Sequence, residues 1–209
     1  MGVDLEPCRA SDVEALTVFL READLTLSGL DAPSVRLWLG RDERSEVVCC
    51  TGYEISADGQ HALIRSVAVS PSRRSLGMGS ALARFAFERA IAEGARTAWL
   101  FSRRSGPFWQ TLGFEPANCD ELAEVLADTH QVRMFRQTGQ LAREVAWSRP
   151  LVRDGSLIRW LGEPYSDEVV GHSVHIDPVL VARDGARGLP VRTDPECGVE
   201  TCSVSGVSE

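Results

Sequence analysis

The chain has 209 residues, 44% of them hydrophobic, and a formal charge of −8; its 22 basic residues are all arginine. This suits one ordinary core with an appendage, or two small ones, and the acidic balance argues against nucleic acid as a general partner, because a polyanion meets net repulsion. No apolar run approaches the roughly 18 residues of a membrane span, and no basic segment leads into an apolar one at the N-terminus, so the expectation is a soluble, cytoplasmic protein with no membrane partner.

In chain order, Val3 to Cys8 reads as a first strand. Ser11-Asp12-Val13-Glu14 has the S-x-x-E form of a capping box and predicts a helix over Asp12 to Ala23, with Val13, Leu16, Phe19 and Leu20 inward. Leu25 to Leu30 is loop, and Asp31-Ala32-Pro33 opens a short turn before a strand at Leu37 to Arg41. Asp42 to Ser45 is a charged turn, Glu46 to Ile55 the next strand, and Asp58-Gly59 a hairpin signal that delivers His61 to Val69 as an antiparallel partner. The β-branched run Ile64 to Val69 ends at Ser70-Pro71-Ser72, since proline cannot donate to a ladder. The apolar period then switches from two to about 3.6, which places Gly77 and Gly79 in the first turn of a helix continuing to Glu93 and stopped by Gly94.

A helix start carries unpaired N–H groups and the positive end of the dipole, and glycines there admit a phosphate close to the main chain. The expected ligand is a pyrophosphate. A dinucleotide fingerprint needs G-x-G-x-x-G, and a P-loop needs a lysine that this chain lacks. Arg74-Ser75-Leu76-Gly77-Met78-Gly79 instead matches [R/Q]-x-x-G-x-[G/A], and it is joined to the strand SVAVSP before it and to FWQTLGF at Phe108 to Phe114. On these residues the first 150 or so positions resemble the GCN5-related N-acetyltransferases (GNAT). The resemblance implies an α/β fold of three layers, α-β-α, around a mixed sheet whose central strands splay. It implies acetyl-CoA as co-substrate. Arg74, Ser75, Leu76, Gly77, Met78, Gly79 and Ser80 would hold its pyrophosphate, and Phe108 and Trp109 would lie beside it. Main-chain groups of Val67, Ala68 and Val69 would pair with the pantetheine arm, and the thioester would lie near Ser66 and Ser102.

Beyond the helix, Thr97 to Phe101 is a strand, Gly106 to Leu112 a short helix ended by Gly113, Phe114 to Pro116 a strand, Asp120 to Ala127 a helix, and Glu144 to Leu151 a last strand. The layout from Arg103 to Leu151 is also similar to a GNAT subgroup found with arsenic-resistance genes. In the family the first helix and the loop after it border the acceptor pocket, which makes Asp24, Thr26 and Ser28 candidates for substrate selection.

Two positions depart from the family pattern. Where many members carry a glutamate base, this chain has Arg65, which stays protonated, and where they carry a tyrosine acid it has Trp109. Proton transfer is then left to water, Ser66, Ser102 or His61. Arg65 with Arg103 or Arg104 offers a two-point fork for an acidic group on the acceptor; equally, Arg65 can pair with Glu54 across the sheet.

The six cysteines read as reduced thiols. His172, His175, Cys197 and Cys202 form two pairs whose spacings depart from structural zinc sites, and no metal is assigned. Residues 1–151 are read as the acyltransferase domain. Residues 152–209 form an extension with strands at Ser156 to Leu161 and Val169 to Ile176 and a Gly/Pro-rich end. The reading is an enzyme that acetylates a primary amine of a small, acidic acceptor by direct transfer, with a homodimer left open. Its rivals are a non-catalytic acyl-CoA sensor, motivated by the missing glutamate and tyrosine, and a protein N-acetyltransferase.

Overall fold

The computed structural model describes residues 3–74 and 77–151, and the backbone of 174–176. Strands β1 (Val3–Pro7), β2 (Val35–Arg41), β3 (Val47–Ile55) and β4 (His61–Val69) form an antiparallel meander. Helix α2 (Met78–Ala92), which follows α1 (Val13–Glu22), carries the chain over to β5 (Thr97–Phe101), parallel to β4. Then come α3 (Gly106–Thr111), β6 (Glu115–Ala117), α4 (Cys119–Val125), α5 (His130–Gln137), β7 (Ala146–Pro150) and β8 (Val174–Ile176). The sheet order is β6-β7-β5-β4-β3-β2-β1-β8.

Strand alternation sorts the core into layers. On one face Trp38, Cys49, Tyr53, Ala62, Ile64, Ala98 and Leu100 pack with Met78, Leu82, Phe85 and Ala86 of α2. On the other, Leu37, Leu39 and Cys50 pack with Leu16, Phe19 and Leu20 of α1, and Leu63 and Trp99 pack with Leu122, Leu126 and Val132 of α4 and α5. The result is the expected three-layer α-β-α arrangement around a mixed sheet.

The meander and the predicted bounds of β4 and β5 agree with the structure. The Ser11–Glu14 capping box does not form. Asp12 takes the reaching role instead, its Oδ2 accepting from the Arg9 N–H at 2.8 Å while Oδ1 meets Arg41 at 2.8 Å, because a single 3₁₀ turn over Ala10–Asp12 precedes α1. Helix α5 lies in a stretch with no predicted element. A strand at Val174–Ile176 pairs with β1 and falls inside the predicted 169–176 strand. The predicted strand at 156–161, His172, Cys197 and Cys202 lie outside the described residues. Among those residues no helix is long and apolar enough to cross a membrane, and no group of three or more His, Cys, Asp or Glu is placed to hold a metal ion.

Two local features position the site. The β3–β4 ladder pairs Cys50 with Ala68 but Gly52 with Arg65, so Ser66 and Val67 together oppose Thr51 in a β-bulge. Ser66 adopts φ +57°, uncommon for a side chain with a Cβ, and the buried Cys50 Sγ donates to its carbonyl at 2.9 Å. The β4–β5 pairing stops at Leu63 with Trp99, whereas β4 runs on to Val69 and β5 to Phe101. Beyond that pair the two strands diverge.

Candidate active site

The divergence opens a cavity of about 420 Å³. Its walls are Ile64 to Val67 of β4, Leu100 to Ser105 at the end of β5, Phe108 and Trp109 of α3, the loop Asp24 to Leu27 after α1, and Gln131, Met134 and Phe135 of α5, with Gln140 and Glu144 beyond. Asp24 and Thr26, expected to border an acceptor pocket, both line this cavity. Ser28 stands behind the wall, where its carbonyl accepts from Arg65 Nη2 at 2.6 Å and its hydroxyl donates to the His130 carbonyl at 3.2 Å.

Of the residues expected to hold a phosphate, Arg74 and Gly77 to Ser80 are described and lead into α2. Gly77 is the residue before α2 and has φ +95°, a conformation that favours glycine, and its carbonyl takes the first helical bond from the Ala81 N–H at 2.8 Å. Gly79 lies in the first turn, where an added Cβ would meet only the Phe108 ring, at 3.5 Å. The N–H groups of Met78 to Ser80 have no intrahelical acceptor by construction of an α-helix. The Met78 side chain is in the core, so only its main chain can serve an anion. Arg74 is exposed and Ser80 half-buried. Ser75 and Leu76 lie outside the described residues. Phe108 both walls the cavity and covers Gly79, and Trp109 packs on Phe108 and Phe114, edge to face. Val67 and Val69 lean on the α2 layer and Ala68 on the α1 layer, and beyond Leu63 this stretch has no strand partner on the β5 side.

The three arginines proposed as an anion fork are already committed. Arg65 and Glu54 form an ion pair at 2.5 Å with both side chains 1% exposed. The same carboxylate accepts from the backbone N–H of His130 at 2.5 Å and, more loosely, of Gln131 at 3.4 Å, so it caps α5. Burial pulls the Arg65 guanidinium below its usual value and the Glu54 charge opposes this. Of the two readings of Arg65, pairing with Glu54 is the one the fold adopts, and the expected free fork is corrected. Arg103 lies 3.4 Å from Glu144, and Arg104 lies 2.6 Å from Asp24. The Arg104–Asp24 pair bridges two loops at the cavity mouth. Both partners are exposed, so solvent screening leaves it little strength.

The proton-carrying candidates separate as well. His61 opens β4 at the paired end of the strand, where its Nδ1 accepts from Trp99 Nε1 at 3.1 Å, and it does not line the cavity. Ser102 does, but its hydroxyl accepts from the Ser105 N–H at 3.1 Å and so fixes the turn after β5. Ser66 Oγ, Arg65 Nε and Gln131 Oε1 are buried without a hydrogen-bond partner among the described residues, and all three residues line the cavity. Gln131, Met134, Phe135, Gln140 and Glu144 line the cavity but were not among the site residues expected from the sequence. The available signal was Thr129 as an N-cap ahead of Val132 and Phe135 at helical spacing.

Solved structures share this fold. The N-acetylglutamate synthase of Neisseria gonorrhoeae, solved with coenzyme A and N-acetyl-glutamate, superposes with a TM-score of 0.57 at 20% identity, over 72% of this chain and 35% of that one. The present chain therefore spans about a third of the synthase's length. An acetyltransferase of the GNAT family from Staphylococcus aureus Mu50 gives 0.55 at 13% identity, over 72% and 99% of the two chains. The aminoglycoside 6'-N-acetyltransferase of Enterococcus faecium gives 0.53 at 11%, over 72% and 98%. At these identities the likeness is one of fold. No curated protein sequence matches the chain. The model of the acetyltransferase (GNAT) family matches residues 6–114, just over half the sequence, and with the strand divergence, the bulge and the glycine-led helix in place, the chain belongs to that family.

Proposed function

We propose that the protein is an acetyl-CoA-dependent N-acetyltransferase acting on the primary amine of a small molecule, with donor and acceptor bound together. One observation carries this: the unpaired side of β4 lines the cavity, and Phe108, which lines it too, stands against Gly79 in the first turn of α2. The helix start offers N–H groups and a positive dipole end to a diphosphate, and a strand without a neighbour offers its main chain to an amide-bearing arm. The donor-binding residues are Arg74, Gly77, Gly79, the main chain of Met78 and Ser80, and Val67 to Val69, with Phe108 and Trp109 alongside; Ser75 and Leu76 belong to the same loop by sequence.

Acetyl-CoA supplies an activated acyl group, and the cavity holds the amine against it and keeps bulk water away. Ser66 and Ser102 line the space assigned to the thioester. Among the described residues no cysteine lines the cavity, and direct transfer needs no acyl-enzyme. The finer expectation of an acidic acceptor loses Arg65, which is sealed against Glu54, and keeps only Arg103 and Arg104, exposed side chains whose contacts to Glu144 and Asp24 are weak. The cavity, about 420 Å³ and bounded by α5 and the loop after α1, favours a small molecule over a protein side chain or N-terminus.

Gly79→Trp tests the donor site. The Cβ fits, but the indole fills the space beside the helix start and Phe108. Calorimetry should show acetyl-CoA uptake by the native protein and about a hundredfold weaker uptake by the variant; equal affinity would remove the site from this place. Thiol release with an amine panel separates an enzyme from an acyl-CoA sensor, which would bind without turnover.

A further inference from the structure

We propose that Glu144 is the carboxylate that receives the acceptor's amine as an ammonium ion and takes its first proton. This rests on the acetyl-transfer reading above. Arg65 on β4 cannot serve as a base, and Glu54, its carboxylate partner, is sealed by Arg65 and the α5 N–H groups and does not line the cavity. Among the residues that do line it, Arg65, Arg103 and Arg104 cannot accept a proton, and there is no histidine or cysteine. Asp24 and Glu144 remain. Asp24 sits at the mouth, 78% exposed and paired with Arg104, whereas the Glu144 side chain is 6% exposed.

The backbone fixes Glu144 next to the end of β5. The following residue, Val145, accepts from the Ser102 N–H at 2.9 Å, the Glu144 N–H donates to the Leu141 carbonyl at 3.1 Å, and its own carbonyl accepts from Cys119 Sγ at 3.2 Å. Glu144 is therefore anchored near the end of β5 and lines the same cavity as Ser102, where the thioester is assigned. Its oxygens face Gln140 Nε2 at 2.8 Å and Arg103 Nε at 3.4 Å, both from residues lining the same cavity. Arg103 is 55% exposed and its contact is long, so it can yield to an incoming cation at small cost. Leu25, Leu27, Leu100, Phe101, Met134 and Phe135 supply apolar wall. The acceptor class that fits is a small primary amine with an apolar body.

An ammonium ion enters and pairs with Glu144. One N–H proton passes to the carboxylate, and the freed lone pair forms the C–N bond as the C–S bond breaks. A second N–H proton leaves with the thiolate, so the products are amide and thiol, and Glu144 returns its proton to solvent past Arg103.

The test uses n-butylamine, cationic at neutral pH, with n-butanol as its uncharged match, titrated into the full chain by NMR. Millimolar binding of the amine should weaken at least about tenfold in Glu144→Gln with butanol unaffected, and tighten severalfold in Arg103→Ala, where the internal competitor is gone. A merely structural ion pair would not give the second result. In the amine panel, Glu144→Gln should lower kcat/KM by about 10²–10⁴ with acetyl-CoA affinity unchanged. Absence of amine binding to the native protein, or equal binding by Glu144→Gln, overturns the assignment. Failure of acetyl-CoA uptake would instead sink the transferase reading and leave the amine result standing.

Discussion

Replacing Glu54 by alanine probes the connection on which the cavity wall depends. The carboxylate holds three elements at once: Arg65 of β4 at 2.5 Å, and the first N–H groups of α5 at 2.5 and 3.4 Å, from its own place on β3. Both ionic side chains are 1% exposed, so the mutation strands a guanidinium away from water, a change that costs about 3–5 kcal/mol. The His130 N–H also loses its acceptor, for which about 1–3 kcal/mol is typical, but the two losses share one carboxylate and do not add in full. About 4 kcal/mol is a large share of the 5–15 kcal/mol that a domain of this size commonly has. With a urea slope near 2 kcal/mol/M, the unfolding midpoint should fall by about 2 M at unchanged slope. The double variant Glu54→Leu with Arg65→Met removes the stranded charge and should recover most of the loss. A shift below about 0.5 M for Glu54→Ala, or a double variant no more stable than the single one, would refute the claim that this pair is a buried, mutually dependent unit.

Glu88, on α2, carries a carboxyl pushed up to about 7 from 4.5, chiefly by desolvation, with Arg84 and Arg89 opposing. Because the folded form binds this proton more tightly, the group disfavours folding once pH rises through that window, by up to about 3 kcal/mol. Glu88→Gln should therefore be more stable than the native protein at pH 8 and indistinguishable from it near pH 4.5, read by denaturation at both; a gain that persists unchanged at low pH would contradict this. Burial pushes the Cys8 and Cys49 thiols up to about 11, and raises Cys50 well above the usual thiol range. At pH 8 these three should stay protonated and resist iodoacetamide in the folded state but react in urea, with peptide mapping to separate them from Cys197 and Cys202. Rapid native labelling of Cys50 would contradict the packing described.

What was legible in the sequence was local chemistry. The β-branched run ending at Ser70-Pro71, the change of period after Gly79 and the Asp58-Gly59 turn act over a few residues, so β4, β5 and the start of α2 could be read before any fold was known. The glycine signature reports a main-chain conformation, and Gly77 at φ +95° is that conformation. The folded chain decided everything that depends on partners remote in sequence. Arg65 read equally as a free fork or as a partner of Glu54, and only the fold chose between them, because that carboxylate is 11 residues away and the second acceptor, the Ser28 carbonyl, is 37 away. Helix α5 was hidden because much of its N-terminal stabilisation comes from Glu54, 76 residues earlier, and not from its own run. Glu144 read as the first residue of a strand until packing set it 6% exposed beside Arg103. Periodicity and turn chemistry are written into neighbouring residues, whereas burial and ion pairing are properties of surfaces that exist only once distant segments meet.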